Sequence, residues 1–199
     1  MDNNFTVEQD FSLYQKFFLE QNSKHNLISK NDEKYLYEKH IFDSLAIKLT
    51  GKLKAGQTIL DIGCGGGFPC VPIAIECPEI NIIGVDSIAK KIRAVEELKN
   101  NLGLKNLSLI CDRVENLKGK KFDIITSRAV AKLSKIAEYA LPLLKKEGFF
   151  IAYKSKKADE EIEGAKEVLK KYGATILDVI EYTLPLEEVY QRCLIVIGY

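Results

Sequence analysis

Three glycines alternate with other residues in a loop that could bring a ligand against the main chain. Gly63, Gly65 and Gly67 follow the apolar run 58–60 and precede the apolar segment 71–75, so the pattern predicts a strand, a glycine-rich turn and a helix start. Such a turn exposes backbone N–H groups and lets a ligand approach closely. Its G-x-G-x-G spacing differs from the dinucleotide fingerprint G-x-G-x-x-G, and no Gly-Lys-Ser/Thr closes it as in a Walker A loop. The loop therefore favours S-adenosylmethionine over NAD.

A carboxylate stands where a nucleoside site needs one. Asp86 ends the apolar run 81–85, about 20 residues past the glycines, and from there an acidic side chain can accept hydrogen bonds from ribose hydroxyls. The alternative is that Asp86 only precedes Ser87, the N-cap of the next helix, and that the glycines only make a tight turn. Because the loop and Asp86 are in register, we expect both to form one nucleoside site.

Length and composition indicate one catalytic domain with a small extension. A chain of 199 residues with 46% hydrophobic content can bury one sizeable core. We expect an N-terminal helical extension over 1–52 and the catalytic domain over 53–199. No apolar stretch approaches the length of a membrane span, and residues 1–4 lack the features of a signal peptide, which predicts a cytoplasmic protein without membrane contact. Five cysteines without a C-x-x-C pair favour reduced, buried thiols and no metal site.

The charge pattern leaves the partner open. A net charge of +1 neither requires nor excludes nucleic acid, because local clusters of lysine and arginine decide phosphate binding. Such clusters lie at 90–93, 118–121 and 154–157. They either surround the ligand-binding edge of the sheet or are solvated surface.

Hydrophobic periodicity predicts two helices followed by alternating strands and helices. Thr6 and Gln9 resemble a capping box for a helix that ends near residue 22, and a second helix is predicted from 31–32 to 47. Candidate strands then lie at 57–62, 81–86, 107–111, 122–127, 149–154, 174–183 and 192–198, and helical patterns at 70–77, 88–102, 131–147 and 157–172. This order predicts an α/β fold with a mostly parallel, doubly wound sheet of seven strands that ends in an antiparallel hairpin. With the glycine loop and the ribose acid, it resembles the class I, Rossmann-like, S-adenosylmethionine-dependent methyltransferase fold.

The fourth strand favours a site that positions its acceptor without transferring a proton. The segment 122–130 contains neither the Asn/Asp-Pro-Pro-aromatic tetrad of exocyclic-amine methylation nor a cysteine for covalent attack on a pyrimidine. A guanine N7 carries an in-plane lone pair, so its methylation needs alignment and no general base. Arg128 could contact guanine O6, a phosphate or the methionine carboxylate, or could form a rim salt bridge.

Several local strings resemble the RsmG (GidB) family, the bacterial guanine-N7 methyltransferases of small-subunit ribosomal RNA, from the first helix to the last strand. The most specific are His-Ile-x-Asp-Ser-Leu and the Gly-Phe-Pro that follows the glycines. The matching strings are 26–29, 40–45, 61–69, 86–87 with 90–91, 113–115, 127–129, Lys154 and Arg192. Cys64 and Cys70 stand where relatives have a small residue and glycine, and Ile28-Ser29 replaces the common threonine.

The resemblance implies a role for each of these positions. The cofactor cleft would be lined by Asp61, Gly63, Gly65, Gly67 and Phe68. Asp86 would hold the ribose, Val114 and Glu115 would meet the adenine edge, and Arg128 would complete the cofactor and acceptor site. The target base or RNA backbone would be contacted by Asn26, His40, Lys154 and Arg192, although a lone histidine on an apolar helix is as often structural.

The resulting hypothesis is in-line methyl transfer from S-adenosylmethionine to N7 of a guanosine in 16S rRNA, with no metal and no covalent intermediate. The resemblance implies guanosine 527 in the decoding-region loop, methylated within the small subunit or the ribosome. We expect a monomer, because no unexplained apolar stripe is present. The alternatives are a methyltransferase of the same fold acting on a small molecule or protein, and a non-catalytic nucleotide-sensing module.

Overall fold

A computed structural model of the chain describes residues 5–155 and 158–199. Residues 1–4, on which the signal-peptide argument rests, and Lys156 and Lys157 of the third basic cluster lie outside these ranges.

The described strands form one sheet in the order β3-β2-β1-β4-β5-β7-β6. Strands β1 to β5 pair in parallel, and β7 is antiparallel to both β5 and β6. The predicted α/β architecture and its terminal hairpin are therefore confirmed, with β7 inserted between β5 and β6. The strands are β1 (Thr58–Ile62), β2 (Asn81–Asp86), β3 (Leu107–Cys111), β4 (Phe122–Arg128), β5 (Leu144–Ser155), β6 (Thr175–Leu184) and β7 (Tyr190–Gly198).

Helices cover both faces of this sheet. They are α1 (Ser12–His25), α2 (Lys30–Glu33), α3 (Asp43–Leu45), α4 (Cys70–Glu76), α5 (Ala89–Leu102), α6 (Leu133–Ala140) and α7 (Ala158–Tyr172), with a π-helical turn at Tyr37–Phe42 and 3₁₀ turns at Ala46–Thr50, Val114–Asn116 and Leu141–Leu143.

The first helix begins later than the capping-box pattern predicts. Thr6 and Gln9 lie in a non-helical segment, and α1 begins at Ser12. The backbone N–H groups of Glu8 and Gln9 donate to the carboxylate of Glu76, at 3.0 and 3.2 Å. Asp10 instead accepts from both the N–H and the hydroxyl of Ser12, at 2.9 and 2.6 Å. A long-range contact therefore holds this segment outside the helix, which the local sequence pattern cannot reveal.

The second predicted helix is not one regular α-helix. It is broken into α2, the π-helical turn, α3 and a 3₁₀ turn that continues to Thr50. A π-helical turn inserts an extra residue into the helical repeat and is frequent at functional sites. The apolar spacing from 35 to 47 was consistent with helix but could not reveal this change of pitch.

The helix predicted over 131–147 is shorter, and the following strand begins earlier. Helix α6 ends at Ala140, a 3₁₀ turn contains Pro142, and β5 begins at Leu144 instead of residue 149. Proline lacks an N–H and clashes with the preceding helical turn, so it ends the helix here. The β4–β5 pairing shifts register between Phe122 and Ile124 to accommodate the early start.

Alternate residues of the strands belong to two hydrophobic layers, one on each face of the sheet. Ile59 and Ile124 lie in the layer shared with the N-terminal helices, α4 and α5, whereas Leu60 and Ile125 lie in the layer shared with α6 and α7. The N-terminal helices thus pack on the same core as the sheet; a domain boundary after residue 52 stays a prediction. The apolar residues that these helices contribute to the first layer include Phe11, Tyr14, Phe18, Leu36, Ile41, Leu45 and Ile47.

The cysteine expectation needs one correction. All five thiols are free, and Cys64, Cys70, Cys77 and Cys193 are buried, but Cys111 is exposed at the end of β3. Within the described ranges, no group of three histidine, cysteine or acidic side chains is placed to hold a metal ion. None of the helices in these ranges is both long and apolar enough to span a bilayer.

Candidate cofactor and acceptor site

The glycine loop folds tightly against the end of β2. Gly63 and Cys64 donate their N–H groups to the carbonyl of Val85, at 2.8 and 3.1 Å. Gly63 and Gly67 have φ angles of +70° and +96°, a region that side chains rarely adopt. A Cβ atom on Gly67 would lie 2.7 Å from Cγ2 of Val71. The sequence thus needs glycine here both for the backbone angles and for the close packing of α4.

Asp86 joins the glycine loop to the start of α5. Its Oδ2 accepts from the N–H of Gly65 at 3.0 Å, and its Oδ1 accepts from the N–H of Ile88 at 2.8 Å. Ile88, and not Ser87, occupies the N-cap of α5, which overturns that detail of the capping alternative. A carboxylate has about four acceptor positions. Asp86 therefore keeps acceptor capacity for ribose hydroxyls while it shapes the loop.

A cavity of about 340 Å³ opens between the glycine loop and the ends of β2 and β3. Its lining includes Gly63, Asp86, Val114 and Glu115, which the family resemblance implies for a cofactor cleft. Gly65, Gly67 and Phe68, which the resemblance also implies, are not part of the lining. Val114 is buried, whereas Glu115 is exposed. A polar rim on an apolar floor suits a nucleoside, because the ring needs apolar contact and the ribose needs acceptors. The residues present therefore fit a bound nucleoside cofactor.

Sequence reasoning missed several residues of this cleft, and two of them lie in and after the loop that follows β4. Val130 and Tyr139 line the same cavity. Val130 packs so closely on Gly63 that a Cβ atom there would lie 2.5 Å from Cγ2 of Val130. The turn is set by Ala129, which has a left-handed φ of +56°. The Ser127-Arg128-Ala129 string pointed to this loop, but no pattern indicated that it folds back on the glycines.

Asp61 lies beneath the loop and is absent from the cavity lining. It is fully buried, and its Oδ1 accepts from the hydroxyl of Thr126 at 3.0 Å, linking β1 to β4. Its Oδ2 has no hydrogen-bond partner within the described ranges. Burial raises the pKa of Asp61 to about 7, against the opposing effect of the Thr126 hydrogen bond. The structure thus places Asp61 as a support of the loop.

Phe68 lies between the glycine loop and a cluster of polar side chains around Asp43. Its ring is 5% exposed, and its centroid lies 5.0 Å from that of Phe18 and 4.9 Å from that of His40. The Cζ atom of Arg128 lies 5.1 Å from the same ring, within range of a cation–π contact. One aromatic ring therefore separates the glycine loop from the arginine at the end of β4.

Asp43 is the centre of that cluster, although sequence reasoning gave it no role. Its side chain is 1% exposed. Oδ1 accepts from the hydroxyl of Tyr182 at 2.6 Å and from Nε of Arg192 at 3.0 Å, and Oδ2 accepts from Nη1 of Arg128 at 2.7 Å and Nη2 of Arg192 at 3.1 Å. Burial raises the pKa of Asp43, but the two guanidinium groups and the tyrosine lower it further, below the usual carboxyl value. A charged residue inside an apolar helical segment was the available signal.

Two groups of the π-helical turn contact the guanidinium of Arg128. Nη1 of Arg128 donates to the carbonyl of Lys39 at 3.1 Å, and Nη2 lies 2.8 Å from Nδ1 of His40. Because a guanidinium only donates, Nδ1 accepts and His40 is neutral with its proton on Nε2. Burial, and next the Arg128 charge, lowers the pKa of His40 to about 4. Its Nε2 atom is buried without a partner among the described residues.

The predicted acceptor residues divide into two groups. His40, Arg128 and Arg192 meet around Asp43, as described. Asn26 is exposed at the left-handed C-cap of α1, and no side-chain contact within the described ranges joins it to that cluster. The ammonium of Lys154 donates to the carbonyl of Ala131 and to Glu161, at 2.8 and 2.9 Å, and so braces the loop between β4 and α6.

Sequence comparison identifies the family. The profile described as rRNA small subunit methyltransferase G (GidB) matches residues 7–189. The chain belongs to this family. A methyltransferase G relative from Bacillus licheniformis is 40% identical over 198 residues, which cover 97% of this chain and 82% of that protein. Another from Staphylococcus saprophyticus is 41% identical over 194 residues, covering 96% and 81%.

Solved structures agree with the fold of a methyltransferase G. The M. jannaschii protein TYW2, crystallised in complex with AdoMet, aligns with a TM-score of 0.62 at 16% identity, over 78% of this chain and 75% of that chain. A mutant form of MtNAS aligns with a TM-score of 0.65 at 15% identity, over 93% and 71%. At these identities the likeness concerns the fold alone, and it confirms the predicted class I methyltransferase fold.

Proposed function

We propose that this protein transfers the methyl group of S-adenosylmethionine to N7 of a guanosine in 16S rRNA. Membership of the methyltransferase G family supports small-subunit rRNA as the substrate. The choice of N7 rests on the two groups of the Asp43 cluster that could act as a general base. The carboxylate of Asp43 already accepts four hydrogen bonds, and Nδ1 of His40 accepts one from Arg128, so neither is free to take a proton from a substrate. Guanine N7 needs no base, because it attacks with a lone pair.

The cofactor is S-adenosylmethionine, in keeping with the family, the fold and the cleft. When bound it supplies an electrophilic methyl group on a sulfonium. Asp86 would accept from the ribose hydroxyls, Val114 and Glu115 would border the adenine, and the glycine loop would allow close approach of the main chain. Asp61 and Phe68 would act from behind the loop, through Thr126 and Arg128.

The arginines act by alignment. Positive charge develops on the guanine as its N7 bonds to the methyl group, so a cation directly at N7 would oppose the reaction. Arg128 and Arg192 would instead donate to O6 or to a phosphate, with the Asp43 charge offsetting part of theirs. Neutral His40 adds a buried Nε2–H donor beside Phe68 without adding charge. In this proposal Asn26 and Lys154 act at the periphery, Asn26 on the RNA and Lys154 on the β4–α6 loop.

The nucleotide proposed is guanosine 527 of the decoding-region loop. Single-stranded loops are the usual targets of sequence-specific RNA recognition, because their unstacked bases can enter a site. A net charge of +1 gives little general attraction to phosphate, which favours a folded ribosomal particle over free RNA as the substrate. We propose that the protein acts in the cytoplasm as a monomer and without a metal.

A labelling experiment tests this proposal. The protein is incubated with methyl-labelled S-adenosylmethionine and free 16S rRNA, small subunits or whole ribosomes from cells lacking the modification. Borohydride and aniline then cleave the RNA at N7-methylguanosine. We expect one break, in the decoding-region loop, and greatest labelling of the small subunit. Labelled RNA without a break would overturn the N7 assignment. Cofactor binding without labelling of any of the three would favour a small-molecule or protein acceptor, or a non-catalytic module.

A further inference from the structure

We propose that Asp43 is a positioning residue that holds the guanidinium groups of Arg128 and Arg192 side by side at the acceptor end of the site. It acts through the arginines and does not touch the reacting atoms. This inference rests on the proposed function for its effect on turnover, but the arrangement that it describes can be measured without any substrate.

The first support is the saturation of the carboxylate. Each oxygen of Asp43 accepts two hydrogen bonds, and the donors come from β4, β6 and β7. Arg192 binds in the bidentate manner that fixes the plane of a guanidinium relative to a carboxylate. With a side chain that is 1% exposed and all its acceptor positions in use, Asp43 has no capacity left for a ligand.

The second support is that both arginines keep N–H groups that are not used in the cluster. A guanidinium carries five N–H groups. Among the described residues, Arg128 donates three of its N–H groups, to Asp43, Lys39 and His40. Arg192 donates two of its N–H groups, both to Asp43. The remaining N–H groups are held in a fixed orientation by these bonds. They suit an acceptor-rich ligand such as a phosphate or O6 of guanine, and a contact to O6 leaves the N7 lone pair free to react.

The third support is charge. Two guanidinium groups share one buried carboxylate, so the cluster keeps an excess positive charge. Burial lowers the pKa of Arg192, but the charge of Asp43, the nearby Tyr182 and the hydrogen bonds to both together raise it above the usual value for a guanidinium. Without the Asp43 charge the two cations would repel each other and separate. Their free N–H groups would then no longer converge on one acceptor.

The test compares Asp43→Asn with Glu76→Gln. Both substitutions remove the charge of a carboxylate that is 1% exposed, and Glu76 pairs with Lys48 away from the site. We expect Asp43→Asn to lower kcat/KM for small subunits ~100-fold, as for a misplaced contact group. Glu76→Gln should keep kcat/KM at a temperature where both variants are folded. Equal losses in the two variants, or less than about a threefold loss in Asp43→Asn, would overturn the proposal.

A double-mutant cycle separates positioning from general stability. If Asp43 works through Arg192, Asp43→Asn should cost much less in an Arg192→Lys background than in the wild type, because the bidentate pair is already lost. The proposal would be contradicted if the loss of kcat/KM in the double variant equalled the product of the two single losses. If Asp43→Asn does not fold, Tyr182→Phe replaces it, since that change removes one hydrogen bond from the same oxygen as Arg192 Nε.

A spectroscopic readout keeps this inference separate from the proposed function. In ¹⁵N-labelled protein, the Arg192 Nε–H should give a slowly exchanging signal that disappears in Asp43→Asn and persists in Glu76→Gln. A signal unaffected by Asp43→Asn would overturn the positioning role, even in a fully active enzyme. Wild-type protein that shows the signal but methylates no RNA would contradict the proposed function alone.

Discussion

Two of the buried carboxylates, those of Asp43 and Glu76, are equally inaccessible to solvent but are surrounded by different donors. Asp43 and Glu76 each have a side chain that is 1% exposed. Glu76 lies at the end of α4 and accepts from Lys48 and from the N–H groups of Glu8 and Gln9. Asp43 lies beside the end of β4 and accepts from two arginines and a tyrosine. Burial alone therefore does not distinguish a structural carboxylate from one at a site.

The donors distinguish the two regions. A backbone N–H has a single proton to donate, so the bonds from Glu8 and Gln9 to Glu76 use that capacity fully and leave nothing for a ligand. A guanidinium bonded to Asp43 keeps further N–H groups. The Glu76 cluster anchors a chain segment, whereas the Asp43 cluster presents donors. Glu76 also accepts from the ammonium of Lys48, which donates to the carbonyl of Thr6 as well, so the donors of this cluster are directed at the protein itself.

The largest effect should come from removing an arginine of the Asp43 cluster. We expect Arg128→Ala to abolish methyl transfer, to below about 1% of wild type, because alignment of the acceptor is lost. The fold should remain, as judged by circular dichroism and a cooperative thermal transition. Near-normal turnover in this variant would remove Arg128 from the site and weaken the distinction between the two regions.

The next effect should be structural and confined to the other region. Glu76→Gln leaves the partly buried Lys48 with only the exposed carboxylate of Glu8, 3.6 Å away, as a counter-charge, so we expect the free energy of unfolding to fall by about 3 kcal/mol. Urea unfolding measures this loss, and Lys48→Met in the same background should recover part of it. A loss of turnover in folded Glu76→Gln would show that the two regions are not independent.

Asp86 is an intermediate case, half-buried and with two hydrogen bonds to the protein. We expect Asp86→Ala to weaken binding of S-adenosylmethionine by about 1–3 kcal/mol, through loss of ribose hydrogen bonds. Titration calorimetry measures this change, and Asp86→Asn, which keeps one acceptor, should lose less. Unchanged affinity in Asp86→Ala would place the ribose elsewhere.

The smallest effect concerns pH. His40 has a folded pKa of about 4, below the usual 6.5, so the folded state binds fewer protons than the unfolded chain between these values. Its contribution to stability is complete above about pH 6.5 and is lost as the pH falls toward 4. We expect His40→Gln to flatten this part of the stability profile in thermal melts. An unchanged profile would contradict the lowered pKa, because it would mean that His40 binds protons equally in the folded and unfolded states.

The sequence predicted the parts of the fold and site that local pattern encodes. The glycine loop, Asp86, the seven strands and their terminal hairpin follow from spacing and hydrophobic period. It did not predict the start of α1, because the backbone of residues 8–9 is held by Glu76, 67 residues away from Gln9. Nor did it predict the role of Asp43, whose partners lie 85 to 149 residues away. Such contacts depend on the completed sheet.

The position of β7 constrains the order in which a growing chain can complete this cluster. Since β7 lies between β5 and β6, the earlier-made β6 cannot join the sheet until β7 has left the ribosome. Until then Asp43 lacks both Tyr182 and Arg192 and can bind only Arg128. A nascent chain that already contains the whole glycine loop therefore cannot yet complete the Asp43 cluster. Under the proposed function, cofactor binding should then precede methyl transfer during synthesis.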